Sequence, residues 1–175
     1  MNDWLLLLRD LFLFRRGPAD APYAPMALAT LFAIVLGFGM ATNAVGTTTP
    51  QTHAVLIAEV IDLVLLNALL TVKGQQARFV QTAISDLLVA LPFTISIYAV
   101  LSFIGPLPNP VTPETVRPEH ALLMPLVPLT FWWLGVRIRI LSLALETPPL
   151  RAFALLTLLW IAKMVLLTPF LAPVE

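Results

Sequence analysis

The sequence predicts an all-α membrane protein, a polytopic helical bundle of about five transmembrane helices with an amphipathic helix before it. Composition is the first indication, because hydrophobic residues make up 59% of the 175 residues and charged residues only 11%. Soluble domains carry about a quarter charged residues. The second indication is a series of apolar stretches of about 20 residues, the length that a helix needs to cross a bilayer. Proline-rich and polar segments separate these stretches.

Residues 1–16 are expected to form an amphipathic helix that lies in the cytoplasmic interface of the membrane. Its charged residues fall on one stripe, and its large apolar residues, with Trp4 as an interfacial anchor, lie away from that stripe. The alternative is a helix packed on the inner end of the bundle. A proline-rich linker follows, so the chain divides into an N-terminal segment, 1–25, and a transmembrane bundle, 26–175. The stripe consists of Asp3, Arg9, Asp10 and Arg16, and the apolar set of Trp4, Leu7, Leu8, Leu11 and Phe14.

The first span, 26–42, carries small residues at every fourth position, namely Ala29, Ala33, Gly37 and Ala41. Such a ridge lets the backbone of another helix approach closely, either within the bundle or in a partner subunit. The alternative is a flexible hinge at Gly37 and Gly39.

The second span, 54–72, is the stretch around which we expect the bundle to form. It contains Glu59, Asp62 and Asn67 within an apolar run. Glu59 and Asp62 are three residues apart and therefore point to one face of the helix. Because a carboxylate facing lipid is costly, this face should look toward a partner or a wet cavity.

The other three spans are expected at 84–104, 121–136 and 151–171. Ser85 and Asp86 are interpreted as the residues that start the third span, and Pro92 is expected to kink it. Residues 105–120 contain five prolines and predict a stiff, extended loop. The fourth span could continue as a helix to Leu145, with its arginines reaching back to the headgroups.

The basic residues outside the apolar stretches indicate the orientation of the chain. With five spans, all but Arg117 fall on one side, which predicts a cytoplasmic N-terminus and a C-terminus outside, in the periplasm of a bacterial inner membrane. An alternative with four spans would make 121–171 a re-entrant pair. The residues on the shared side are Arg9, Arg15, Arg16, Lys73, Arg78, Arg137, Arg139 and Arg151.

The candidate site is a set of polar residues inside the spans, made up of Glu59, Asp62, Asn67 and Lys163. At about 1.5 Å per residue, Asp62 and Lys163 each lie about 12 Å from the outer end of their spans. Opposite charges at equal depth predict an ion pair, with Glu59 as the second choice of partner. Such a pair could serve a proton or ion relay or a substrate, or it could only fix the register of two helices.

A second group combines Asp86 with three arginines, Arg78, Arg137 and Arg139, at the predicted cytoplasmic end. These residues could bind anionic lipid headgroups or a partner protein. The alternative is that they are ordinary basic residues of the cytoplasmic side.

No residue pattern indicates an enzyme, a cofactor or a metal site. The chain has no cysteine, and its two histidines, His53 and His120, lie at the outer ends of spans without the spacing of a zinc motif. Neither a nucleophile-elbow nor a phosphate-binding loop sequence occurs. The equal numbers of acidic and basic residues suggest no polyanionic partner such as nucleic acid.

The segment Asp20-Ala21-Pro22-Tyr23-Ala24-Pro25, just before the first span, resembles the Asp-Leu-Tyr-Gly-Pro motif of the Yip1-like membrane proteins. In this chain Pro22 is inserted and Ala24 replaces the glycine. The Trp132-Trp133 span and the helix start at Arg151-Ala152 are similar to bacterial members, and the layout matches over residues 20–171. The resemblance implies a five-span bundle with a cytoplasmic N-terminal segment and no catalysis, since eukaryotic members act in vesicle trafficking through partner proteins.

These observations favour an integral membrane scaffold or accessory subunit that binds other membrane proteins, or itself, within the lipid bilayer. The small-residue ridge, the N-terminal helix and the absence of a catalytic pattern support this interpretation. The alternative is a small transporter or an ion- or proton-conducting subunit that uses Glu59, Asp62 and Lys163. A membrane-embedded enzyme is a third class, for which the sequence has no motif.

Overall fold

The computed structural model describes residues 2–47, 51–107 and 117–171, which form helices joined by short turns. Four short 3-10 helices accompany the main helices within these residues, at Pro18–Asp20, Gln76–Arg78, Pro118–Leu123 and Thr168–Phe170. Within the described residues the main helices are α1 (Asn2–Phe12), α2 (Pro25–Gly46), α3 (Thr52–Val72), α4 (Phe79–Ile104), α5 (Leu126–Ala144) and α6 (Pro149–Leu167).

The five helices α2 to α6 are each long and apolar enough to cross a membrane. The predicted fold class, a polytopic all-α bundle with five spanning helices, is therefore confirmed. The region 121–171, which a four-span alternative would make re-entrant, contains two separate helices, α5 and α6, of 19 residues each. A helix of that length extends about 28 Å, close to the thickness of the hydrocarbon core.

The boundary of the third span differs from the prediction. Helix α4 begins at Phe79, so Ser85 and Asp86 lie inside it rather than at its start. Ser85 is fully buried and donates its hydroxyl proton to the carbonyl of Gln81 in the preceding turn, which explains how a typical cap residue is tolerated there. Pro92 lies within the same helix. The predicted extended loop, 105–120, falls largely outside the described residues.

Two further boundaries also shift. Helix α2 continues to Gly46, four residues beyond the predicted end of the first span at 42. Helix α5 starts at Leu126, after a turn of 3-10 helix, and runs to Ala144, as the longer alternative for the fourth span expected. Consequently Arg137 lies well inside a spanning helix rather than at its end.

The helices pack in a closed circuit. Helix α4 packs along α2 and α5, α6 packs on α3 and α5, and α2 packs on α3. The main apolar core lies between α1, α4 and α5, and a second cluster joins the ends of α3, α5 and α6. The first core contains Leu7, Leu11, Ile84, Leu88, Val89, Val136 and Ile140, and the second Leu70, Leu141, Ala144, Leu145 and Ala152.

Helix α1 packs against the bundle through Leu7 and Leu11, which are buried against α4 and α5. Asp10, assigned above to the polar stripe, is also buried, and its carboxylate accepts hydrogen bonds from Arg9 and pairs with Arg16. These contacts match the alternative in which the helix packs on the end of the bundle. Its position in a membrane interface stays a prediction.

The small-residue ridge of α2 is mostly exposed in the part of the chain that the structure describes. Ala29, Ala33 and Gly37 are exposed, Ala41 is half-buried, and a Cβ placed on Gly37 would meet no atom of the described residues within 4 Å. The expectation of a close contact at Gly37 inside the bundle is therefore wrong for this chain alone.

Close helix approaches occur at two other glycines. A Cβ on Gly46 would lie 2.8 Å from Leu101 Cδ1, and one on Gly39 would lie 3.2 Å from Val55 Cγ1. These glycines bring α2 close to α4 and α3. Because Gly39 is packed against Val55 in this way, its position favours a packing role over the hinge considered from the sequence.

Candidate functional site

The first ion pair of the bundle joins α3 to α6. Lys163 Nζ donates a hydrogen bond to Asp62 Oδ2 at 2.6 Å. Asp62 lies ten residues from either end of α3, about 15 Å along the helix, and therefore at the middle of this apolar helix. Matched depth predicted Lys163 as the partner of Asp62, and the structure brings these two side chains into contact.

A second ion pair, between α4 and α5, joins two residues that the sequence analysis groups only as part of a surface cluster. Arg137 Nε and Nη2 donate to the two carboxylate oxygens of Asp86, both at 2.7 Å. This bidentate geometry is the strongest arrangement of an arginine and a carboxylate. The guanidinium also lies 4.9 Å from the ring centroid of Trp133, which stacks on Phe93 with their centroids 4.7 Å apart.

This pair could have been found by the criterion that predicted the first pair, which is that the two residues lie at the same depth in their helices. Asp86 lies seven residues from the start of α4 and Arg137 seven residues from the end of α5. Both therefore lie about 10 Å inside the same end of the bundle. The predicted third span starts at 84 and the predicted fourth span ends at 136, so both residues were expected at a membrane surface, whereas α4 starts at Phe79 and α5 ends at Ala144.

The proposed cluster of three arginines does not form a common surface. Arg78 donates to the carbonyls of Leu143 and Ala144 at the end of α5 and pairs with Glu146. Arg137 points inward to Asp86, whereas Arg139 is exposed. The expectation that the three arginines gather at one site for lipid headgroups is wrong, because each arginine contacts different residues.

Both ion pairs line one cavity, of about 530 Å³, to which all five spanning helices contribute. Its charged residues are Glu59, Asp62, Asp86, Arg137 and Lys163. The remainder of the wall consists of leucine, aromatic and threonine side chains with a few other small or apolar residues. Asn67, a member of the candidate set, does not line the cavity.

Glu59 lies one turn from Asp62 on the same face of α3, as expected from their spacing. Within residues 2–47, 51–107 and 117–171, its carboxylate has no hydrogen bond and no basic side chain within 4 Å. Its side chain is half-buried in the wall of the cavity. The cavity therefore holds two satisfied ion pairs and one carboxylate without a described partner.

Helix α6 forms an exposed part of the cavity wall. Trp160 and Phe153 belong to this wall, yet they remain 61% and 44% exposed. Thr157, between them on the same helix face, is also exposed. Two large aromatic side chains of α6 therefore line the cavity and also reach the surface of the bundle.

The two histidines lie outside the cavity. His53 Nε2 is 3.3 Å from the carbonyl oxygen of Phe170, and His120 Nδ1 accepts a hydrogen bond from the backbone of Arg117. In the part of the chain that the structure describes, no three histidine, aspartate or glutamate side chains are close enough to hold a metal ion.

No family model, no curated protein and no solved structure matches this chain.

Proposed function

We propose that the chain binds a small solute in the intramembrane cavity and acts as a small transporter or ion-conducting subunit. The observation that carries this proposal is the cavity itself, where five ionisable side chains from four helices surround open space near the middle of the bundle. Ionisable residues inside spanning segments are expensive to keep and are found on substrate and ion pathways.

The ion pairs support this proposal because stability alone gives little reason to keep them. Well-packed apolar residues of similar volume are often as stable as a buried ion pair. Two such pairs and a further carboxylate border the same space, where their polar atoms are available to a solute. A purely structural pair needs no cavity beside it.

The absence of cysteine from the sequence makes a direct test possible. Thr94 lines the cavity, whereas Ile95, the next residue, is exposed on a different face of α4. Thr94→Cys and Ile95→Cys place a single thiol at the same depth on the two faces. In liposomes, a water-soluble thiosulfonate should label Thr94→Cys and leave Ile95→Cys unlabelled. Equal labelling of both thiols, or labelling of Ile95→Cys alone, would contradict a water-accessible cavity.

The second candidate is a scaffold or accessory subunit without catalysis of its own, which is also what the Yip1-like resemblance implies. The exposed ridge of Ala29, Ala33 and Gly37 favours it, because small residues on a lipid-facing surface let another helix pack closely. Native purification in mild detergent with mass spectrometry of the bound chains tests this function. Gly37→Leu should remove bound chains without unfolding the protein, since a side chain there meets open space.

We also propose an orientation of the chain in the membrane. The N-terminus in the cytoplasm and the C-terminus in the periplasm of a bacterial inner membrane are supported by the distribution of basic residues. A reporter fused after Glu175 that works only in the cytoplasm should be silent, and activity would reverse the assignment.

A further inference from the structure

The charges around the cavity do not cancel. Three carboxylates, those of Glu59, Asp62 and Asp86, face two basic side chains, Arg137 and Lys163. With every group ionised, the wall carries one negative charge in excess. Because the other four charges form two ion pairs, the excess is concentrated at Glu59.

The threonines of the cavity add acceptors and no free donors. Thr82, Thr94 and Thr157 each donate their hydroxyl proton to a backbone carbonyl one turn earlier on their own helix. Their oxygen atoms keep lone pairs that can accept a hydrogen bond or face a positive charge. The uncharged polar groups of these three side chains therefore favour a donor or a cation as well.

The exposed aromatic residues of the cavity wall favour the same kind of ligand. Arg137 already occupies one face of Trp133, and Phe93 is stacked on this ring as well. Phe153 and Trp160 have no such partner among the described residues, and both are exposed in the part of the wall that α6 forms. A cation is attracted to the face of an aromatic ring, most strongly to tryptophan.

We propose that the cavity takes an apolar organic cation of single positive charge, which enters past Phe153 and Trp160 and pairs with Glu59. The mostly apolar wall accommodates the body of such a ligand, and the excess carboxylate neutralises its charge. An anion of the same size would add a second negative charge to a cavity that already has one in excess. This inference rests on the proposed solute-binding function and specifies the class of the solute.

Two probes of nearly identical shape and opposite charge test it, tetraphenylphosphonium and tetraphenylborate. Equilibrium dialysis against the protein in lipid nanodiscs, with empty nanodiscs subtracted, measures the saturable part of the binding of each probe. We expect one saturable phosphonium site per chain and at least about ten-fold weaker borate binding, a difference of about 1.4 kcal/mol.

Variants assign the preference to Glu59. Glu59→Gln should lower the affinity for the phosphonium about ten-fold, and Glu59→Asp should retain most of it. Glu119→Gln removes the same charge from an exposed residue outside the cavity and should change nothing.

The outcomes of these experiments test solute binding by the cavity and the cationic class of the solute separately. Saturable borate binding that equals or exceeds phosphonium binding would overturn the cation class and leave solute binding intact. Binding of neither probe, together with an unlabelled Thr94→Cys, would overturn both. A phosphonium affinity unchanged by Glu59→Gln would overturn the role given to Glu59.

Discussion

The two ion pairs of the cavity use the same chemistry in different settings. Asp86 and Arg137 share two hydrogen bonds, and the arginine also lies over Trp133. Asp62 and Lys163 share one hydrogen bond. The first pair lies beside the dense core between α1, α4 and α5, whereas α3 and α6 contribute few fully buried residues.

The two carboxylates also differ in exposure, since the side chain of Asp86 is 22% exposed and that of Asp62 is 34% exposed. The two basic side chains do not differ in this way, because Arg137 is 22% exposed and Lys163 is 20% exposed. The bidentate pair Asp86–Arg137 lies between the well-packed helices α4 and α5 and holds this wall of the cavity in place. A single contact between α3 and α6, which have few fully buried residues, can be broken at lower cost. We therefore propose that Asp86–Arg137 holds the wall of the cavity in place and that Asp62–Lys163 and Glu59 contact the solute.

The largest effect is expected at the rigid pair. Arg137→Met leaves Asp86 without its partner and should lower the free energy of unfolding by about 3–5 kcal/mol. Asp86→Asn combined with Arg137→Met should recover part of that loss. Unfolding in detergent or by steric trapping measures each variant.

The matched control for this test is Arg139→Met, two residues further along the same helix and exposed. It should change the free energy of unfolding by no more than about 0.5 kcal/mol. If Arg139→Met is as damaging as Arg137→Met, the effect comes from the loss of any arginine on α5 and not from the ion pair.

A smaller effect is expected at the open pair. Asp62→Asn or Lys163→Met should each cost about 1–3 kcal/mol, because the remaining partner can reach the cavity and its water. The double variant should recover part of this loss, and strictly additive losses would exclude an interaction in the membrane. Recovered stability with lost cation binding would assign the pair to function; recovery of both would make it structural. Lys73→Met, at an exposed lysine outside the cavity, serves as the control.

The difference between the two pairs also explains what could be predicted from the sequence. Asp62 and Lys163 lie deep in unmistakably apolar stretches, so the rise of a helix was enough to match their depths. Asp86 and Arg137 lie where polar residues resemble helix ends, so their depth depended on boundaries that local patterns place poorly. The cavity itself depends on the circuit of α2, α3, α6, α5 and α4, which no single segment encodes.

Two surface patterns were ambiguous for a related physical reason. Small residues at every fourth position of α2 predict a surface that a helix can approach, but not which helix approaches it. Likewise, the apolar face of α1 suits a membrane interface and a bundle surface equally well, because both bury the same side chains. Leu7 and Leu11 lie against α4 and α5, a contact that the periodicity of α1 alone could not distinguish.

The smallest effect on stability is expected at Glu59, and it sharpens the contrast with its neighbour Asp62. Both are carboxylates on one face of α3, but only Asp62 has a basic partner among the described residues. Removing the charge of Glu59 strands no partner and relieves repulsion from Asp62, so Glu59→Gln should leave the free energy of unfolding within about 0.5 kcal/mol of the unchanged protein. Asp62→Asn, measured in parallel, should be clearly destabilising. If Glu59→Gln is instead as destabilising as Asp62→Asn, its carboxylate holds a structural contact, and the excess charge of the cavity is not free for a ligand.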